Sequence, residues 1–129
     1  MTWRRIQSGP EAMPVQVKRA YEAAAASDGR RFLVDGVWPR GLKRDALHIE
    51  AWLKDVAPGA ALRKWFGHDP RRWDEFRRRY RAELDQGPTG LDTLRAAVEG
   101  GGTVTLVYGA RDTEHNNAVA LKEYLESAA

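Results

Sequence analysis

The stretch Thr103-Val104-Thr105-Leu106-Val107-Tyr108 decides the fold, because it is the clearest strand in the chain and leads directly toward a helix. β-Branched residues dominate it, and they favour the pleated surface of a sheet. Gly109 then permits a tight turn. Apolar residues recur at helical spacing beyond this turn, which predicts a helix over residues 113–125. A strand followed closely by a helix is typical of α/β proteins.

Two further strands are predicted upstream. Residues 15–21 alternate between apolar and polar, and residues 32–38 form a short apolar run bounded by turn residues. Four apolar stripes at helical spacing follow, and they predict helices over residues 49–56, 62–66, 73–84 and 91–98. This order predicts an α/β fold with a small, partly parallel sheet of about three strands covered by about five helices. The order of the strands within the sheet stays open.

Length and composition indicate one soluble domain. The chain has 129 residues, of which 43% are hydrophobic, enough for a single core. Residues 1–14 carry no periodic pattern and are predicted to form an N-terminal tail or arm, so residues 15–129 make up the domain. No apolar run reaches the roughly 20 residues that span a bilayer, and the first ten residues lack the apolar centre of a signal peptide. We therefore expect a cytoplasmic protein without a membrane partner.

Cysteine content and net charge narrow the possible chemistry. The absence of cysteine excludes disulfides, thiolate nucleophiles and cysteine-ligated zinc. The formal net charge is +3, which is only mildly basic and falls short of a nucleic-acid-binding signature. An arginine-rich segment, residues 71–85, also contains acidic residues at helical i, i+4 spacing, which favours a solvated, ion-paired face. A nucleic-acid contact through Arg40, Lys43, Arg44 and this segment remains the alternative.

A first polar segment, residues 35–44, follows the second predicted strand. Asp35 lies in an otherwise apolar run, where an unpaired carboxylate is costly. Pro39 restricts Trp38 to an extended conformation and Gly41 frees the backbone, so this segment can aim the Arg40 side chain. In open α/β sheets ligands collect at the carboxyl ends of strands. The alternative is that Asp35 pairs with a nearby arginine while Trp38 only packs.

A second polar segment, residues 108–117, follows the last predicted strand. Asp112 or Thr113 would cap the final helix, whose amino terminus can attract an anion with help from Arg111. Helical geometry predicts that Glu114 points inward, while His115 lies about 100° away. Plain capping is the alternative, but it explains Arg111, His115 and the pair Asn116-Asn117 poorly.

His68 precedes a helix start at which Asp69 suits the N-cap and Pro70 the first helical position. His68 then either packs on Trp73 or joins the cleft that contains His115. A metal site could be composed of carboxylates and imidazoles from both polar segments, but no motif of defined spacing is present. We therefore predict no metal ligands and leave the cofactor unknown.

Several motifs together resemble the YeaO-like bacterial family, domain of unknown function 488. The motifs lie in the same order over roughly residues 15–126: Leu33-Val34-Asp35, Trp38-Pro39-Arg40-Gly41, Leu62-Arg63-Lys64-Trp65-Phe66-Gly67-His68-Asp69-Pro70 and Glu114-His115-Asn116-Asn117-Ala118. The resemblance implies a compact cytoplasmic α/β domain and no established activity. Gly36 stands where family members typically carry an arginine, so a charged pocket here would have one cation fewer.

The leading hypothesis is a small enzyme or binding domain for a phosphorylated or carboxylated substrate. Arg40 and Arg111 would hold the anionic group by charge-assisted hydrogen bonds. His115 would carry a proton and Asp35 would orient one of these cations, so these two are the candidate catalytic residues. Three further residues are candidate substrate contacts: Trp38, Asn116 and His68. A nucleic-acid-associated module and a purely structural domain are the alternatives, and the oligomeric state stays open.

Overall fold

The computed structural model describes residues 15–127, which form a four-stranded parallel sheet. The strands are β1 (Val15–Arg19), β2 (Arg30–Leu33), β3 (Ala51–Trp52) and β4 (Val104–Tyr108), in the spatial order β1-β4-β2-β3. Leu106 of β4 pairs with a residue of β1 on one side and a residue of β2 on the other. All five residues of β4 are buried, as expected for a parallel strand covered on both faces. The predicted arm at residues 1–14 lies outside the described residues.

Five α-helices complete the described part of the chain, and the predicted α/β class is confirmed. They are α1 (Arg44–Leu47), α2 (Ala60–Phe66), α3 (Trp73–Leu84), α4 (Thr89–Glu99) and α5 (Asn117–Ser127). Short 3-10 turns lie at Ala26–Asp28, Lys54–Val56 and Pro70–Arg72. None of these helices is long and apolar enough to cross a membrane.

The sheet buries apolar side chains on both faces. Phe32 and Leu106 belong to the larger core, which also holds Phe76 and Tyr80 of α3. Leu33, one residue beyond Phe32, packs on the opposite face in a smaller cluster with Leu47 and Val107. The alternation of neighbouring residues between two cores follows from the two-residue period of a strand.

The predicted helix over residues 49–56 is wrong, because this segment pairs with the edge of β2. Glu50 N–H donates to Arg31 O at 2.7 Å and Leu53 N–H donates to Leu33 O at 2.9 Å, which places Ala51–Trp52 as strand β3. Its apolar residues divide between the two faces of the sheet: Ile49 and Trp52 contact the smaller core, Leu53 and Val56 the larger one. Burial on two faces therefore produced the spacing that resembles a one-sided helical stripe.

A buried ionic cluster joins the turn before β2 to two strands. Asp28 and Arg31 are only 3% and 5% exposed, and the Arg31 guanidinium donates to Asp28 Oδ2 at 2.6 Å. Lys18 Nζ lies 3.1 Å from Asp28 Oδ1, and the Ala25 N–H donates to Asp28 Oδ2 at 3.0 Å. Arg31 also donates to Leu47 O at 2.8 Å. The carboxylate and the guanidinium are thus both paired, as buried charges require.

Candidate functional site

A pocket of about 330 Å³ opens at the carboxyl ends of β2 and β4. Residues 35–40 leave β2 along one side of it, and Gly109 and Ala110 leave β4 along another. This is the place where ligands bind in open α/β sheets. Five of the seven residues predicted to contact substrate or act in catalysis line the pocket: Asp35, Trp38, Arg40, His68 and Asn116.

Asp35 joins the ends of the two strands. Its Oδ2 accepts a hydrogen bond from the Gly109 N–H at 2.8 Å. A Cβ atom at position 109 would lie only 3.2 Å from this oxygen, so glycine permits the close approach. The other oxygen, Asp35 Oδ1, is buried and accepts no hydrogen bond from any residue between 15 and 127. The nearby Asn117 amide is directed to Val34 O, at 3.0 Å.

The surroundings of Asp35 change its acidity. Burial raises the pKa of this carboxyl above its ordinary value, while the Gly109 N–H, the Asn117 amide and the positive charges of His68 and Arg63 act in the opposite direction. Burial is the largest of these effects. A pocket carboxyl with a raised pKa and a free oxygen is a candidate functional group.

Two arginines supply positive charge around the pocket, and one histidine lies beside them. Arg40 extends from the loop after β2, and Arg63 reaches the pocket from α2. Both are exposed, and neither forms an ion pair within the described part of the chain. His68 follows Gly67, the left-handed residue that ends α2, and itself has φ of 57°. That conformation is uncommon for a residue with a side chain.

Arg63 is a pocket residue that the sequence reasoning missed. A Cβ atom at position 36 would lie 3.4 Å from Arg63 Nη1, so the missing side chain of Gly36 leaves room for this guanidinium. The expectation that Gly36 leaves the pocket one cation short is therefore offset by an arginine from another element. The local sequence does not indicate that Arg63 reaches the pocket, because the next residue of the same helix, Lys64, is also basic and exposed. Only the packing of α2 determines which of the two side chains faces the pocket.

Trp38 and Tyr21 hold the loop that carries Arg40. Trp38 Nε1 donates to Leu42 O at 2.7 Å, and its ring meets the ring of Trp52 edge-on, with centroids 5.4 Å apart. The Tyr21 hydroxyl donates to Arg40 O at 2.8 Å. These contacts tie the loop to β3 and to the end of β1, so the wall of the pocket is built from three parts of the chain.

Arg111 and His115 lie outside the pocket lining. Arg111 is exposed, and His115 Nδ1 lies 3.0 Å from Asp112 Oδ2 while its ring meets Trp73 edge-on at 5.4 Å. Arg40 and Arg111, which were predicted to hold one anionic group together, therefore do not line the same pocket. The histidine that packs on Trp73 is therefore His115 and not His68. The centroid of the His68 ring lies 6.3 Å from that of Phe66.

The late start of helix α5 explains why His115 lies outside the pocket lining. Asp112 Oδ1 accepts hydrogen bonds from the N–H groups of Glu114 and His115, each at 2.9 Å, which forms a turn and delays the helix. Helix α5 begins at Asn117, four residues later than predicted, and Glu114 is exposed and does not point inward. Asp112 therefore shapes the turn that precedes the helix and is not its N-cap.

Asn116 is the N-cap of α5. Its Oδ1 accepts from Val119 N–H at 2.9 Å and its Nδ2 donates to Asp112 O at 2.9 Å, so both ends of the amide are used within the chain. Replacing Asn116 by alanine is expected to lower the free energy of unfolding by about 1 kcal/mol, because the N-cap hydrogen bond to Val119 N–H is lost. Urea denaturation measures the change, and unchanged stability in Asn116→Ala would contradict the capping role.

The arginines of α3 are largely neutralised. Arg77 pairs with Asp74 at 2.6 Å and with Glu123 at 3.3 Å, and Arg79 pairs with Glu75 at 2.7 Å. Glu75 also accepts from Arg78, and these two hydrogen bonds lower the pKa of its carboxyl to about 2. Such surface pairs are typical of a solvated helix face.

The side chains at this site are better suited to binding a polar ligand than to holding a metal ion. Between residues 15 and 127, no three histidine, aspartate or glutamate side chains come close enough together to hold a metal ion. The pocket instead combines one half-buried carboxyl, two guanidinium groups without an ion-pair partner among residues 15–127, an imidazole and an aromatic wall.

Comparison with known proteins places the chain in a family. The sequence pattern of a family described as "Inactive DUF488-N3 subclade" matches residues 14–129. The chain belongs to the DUF488 family. The resemblance that the motifs indicated is therefore confirmed.

The similar DUF488 proteins include YeaO of Escherichia coli, described as uncharacterised, which is 39% identical over 115 residues, or 89% of this chain and 99% of its own. Uncharacterised proteins of Mycobacterium tuberculosis and Mycobacterium bovis are each 40% identical over 111 residues, covering 86% of this chain and 92% of theirs. No solved structure matches the chain.

Proposed function

We propose that the chain is a cytoplasmic domain that binds a small anionic ligand in the pocket at the strand ends. The observation that carries the proposal is the presence of two guanidinium groups, Arg40 and Arg63, at one pocket without an ion-pair partner among residues 15–127. A guanidinium can form two parallel hydrogen bonds to a phosphate or carboxylate, so a single anion can engage each of them. His68 adds positive charge when it is protonated.

Binding without catalysis is the form of the proposal that has more support. His115, the proton carrier predicted from the sequence, packs on Trp73 away from the pocket lining. The description of the matching subclade as inactive points in the same direction. The nucleic-acid alternative has less support, because the acidic residues of α3 already pair with several of its arginines.

The test is a thermal unfolding experiment with phosphate, sulfate, citrate and phenylphosphonate, each compared with chloride at the same ionic strength. A ligand at about a hundred times its dissociation constant adds roughly 2.7 kcal/mol to the unfolding free energy, which corresponds to several degrees in Tm. We expect such a rise with at least one of these anions. In Arg40→Ala/Arg63→Ala the rise should disappear, because both charge-assisted contacts are lost.

A matched control separates this effect from a general loss of positive charge. Arg78→Ala/Arg81→Ala removes the same two charges from the exposed face of α3 and should keep the full rise in Tm. Equal shifts in the two double variants would contradict the proposed pocket and indicate screening of the overall charge. Circular dichroism without ligand establishes that both variants are folded.

A further inference from the structure

We infer that the pocket recognises two ends of its ligand: an anionic group at the mouth, held by Arg40 and Arg63, and a hydrogen-bond donor at the floor, accepted by Asp35 Oδ1. The inference rests on the proposed function and adds the chemical class of the ligand. This class comprises small, flat molecules with a phosphate or carboxylate at one end and an amino or hydroxyl group at the other.

Asp35 lines the pocket and carries an acceptor that no residue between 15 and 127 uses. Asp35 Oδ1 is buried and accepts no hydrogen bond within residues 15–127, although Oδ2 of the same carboxylate is held by the Gly109 N–H at 2.8 Å. A buried polar atom without a hydrogen-bond partner destabilises the native state. A ligand donor placed there would recover that cost.

The contrast in exposure between Asp35 and the two arginines orients the ligand. Arg40 and Arg63 are exposed, whereas the free oxygen of Asp35 is buried at the strand ends. A carboxylate repels an anion, so the anionic group belongs at the mouth and a donor belongs at the floor. A metal ion does not fit Asp35 Oδ1 better, since no group of three ligating side chains exists among the described residues.

Aromatic side chains make the wall between the two ends. Phe66 and Phe76 both line the pocket, and their rings are stacked with centroids 4.3 Å apart. Tyr21 and Val37 are the exposed large hydrophobic residues in the described part of the chain, and both also line the pocket. Apolar side chains both inside the pocket and at its rim suit a ligand whose middle is apolar and planar.

The inference is tested with two ligands that differ only in the donor. Isothermal titration calorimetry compares 4-aminobenzylphosphonate with 4-methylbenzylphosphonate, which has the same shape but no donor. The amino compound should bind roughly tenfold or more tightly, because a hydrogen bond to a charged acceptor contributes more than one to a neutral group. Asp35→Leu removes the acceptor and should make the two affinities equal.

Two further variants make the outcomes distinguishable. Arg40→Ala/Arg63→Ala should weaken both phosphonates by a similar factor and leave their ratio unchanged. Equal binding of the two phosphonates to the unmodified protein would overturn this inference and leave the anion-binding proposal standing. Absence of binding by either phosphonate, together with no Tm shift from any anion, would overturn both. Asp35→Asn serves as the second variant if Asp35→Leu does not fold, and it too should lose the tenfold preference.

Discussion

Replacing Asp28 by alanine is expected to lower the free energy of unfolding by about 3–5 kcal/mol, because it leaves a buried cation without its counter-charge. Arg31 is 5% exposed and would keep only its hydrogen bonds to main-chain oxygens, including Leu47 O at 2.8 Å. Lys18 would lose its partner as well. Urea denaturation monitored by tryptophan fluorescence measures the change.

The exposed pair between Arg30 and Glu50 is the matched control, since it lies one residue from Arg31 along the same strand. About half of each of its side chains is exposed, so Glu50→Ala should have a much smaller effect. If Asp28→Ala and Glu50→Ala destabilised the protein equally, the buried cluster would not be the structural element described above.

The same cluster predicts a dependence on pH. Although burial alone would raise it, hydrogen bonds from the Ala25 N–H, Lys18 and Arg31 hold the pKa of Asp28 below its ordinary value. The stabilisation by Asp28 is therefore present above the unfolded-state pKa of about 3.9 and is lost as the pH falls through the lower native value. The stability difference between the unmodified protein and Asp28→Ala should accordingly shrink in acid.

The central part of the fold is predictable from local pattern. Residues 104–108 are mostly apolar and all buried, because β4 is covered on both faces and paired on both edges, so their sequence signal is strong. Helix α2 ends at Gly67 in the left-handed conformation, and Asp69 accepts from the Arg71 N–H as a cap, both as expected from residue type. Local chemistry alone determines such features, so one sequence is enough to find them.

Features that depend on distant partners escape the same reasoning. Strand β3 is short and forms because β2 offers an unpaired edge, while its apolar spacing imitates a helix. The start of α5 is displaced because the Asp112 carboxylate competes for the N–H groups of Glu114 and His115. That displacement changes the direction of His115, and it is the physical reason why this predicted proton carrier lies outside the pocket lining.

Some residues of the candidate site can likewise be predicted from the local sequence, whereas others depend on tertiary packing. Asp35, Trp38 and Arg40 were predicted as pocket residues because they follow a strand, and the rule that ligands bind at strand ends requires no tertiary contact. Arg63 was missed because its position depends on α2 packing over the loop at Gly36. The unused oxygen of Asp35 likewise becomes visible only when Gly109 is seen to occupy the other one.

A last prediction follows from the burial of Asp35: the Asp35→Asn variant should be more stable than the unmodified protein near neutral pH. Burial raises the pKa of this carboxyl, so keeping it ionised costs free energy in the native state. The isosteric amide keeps an oxygen for the Gly109 N–H and carries no charge. The loss of stability in the unmodified protein is absent below the unfolded-state pKa of about 3.9, because the carboxyl is then neutral in both states. It grows as the pH rises from there through the higher native value.

We therefore expect the Tm of Asp35→Asn to exceed that of the unmodified protein by a few degrees at pH 7 and to approach it near pH 3. Each kcal/mol corresponds to roughly 3–6 °C in a domain of this size. Asn117→Asp is unsuitable as a control because it adds a charge beside Asp35, whereas Asp45→Asn makes the same change on an exposed residue and should leave Tm nearly unchanged. A Tm for Asp35→Asn at or below that of the unmodified protein at pH 7 would mean that Asp35 is kept for stability. A higher Tm combined with lost donor preference would instead mean that the fold retains a destabilising carboxylate because the ligand requires it.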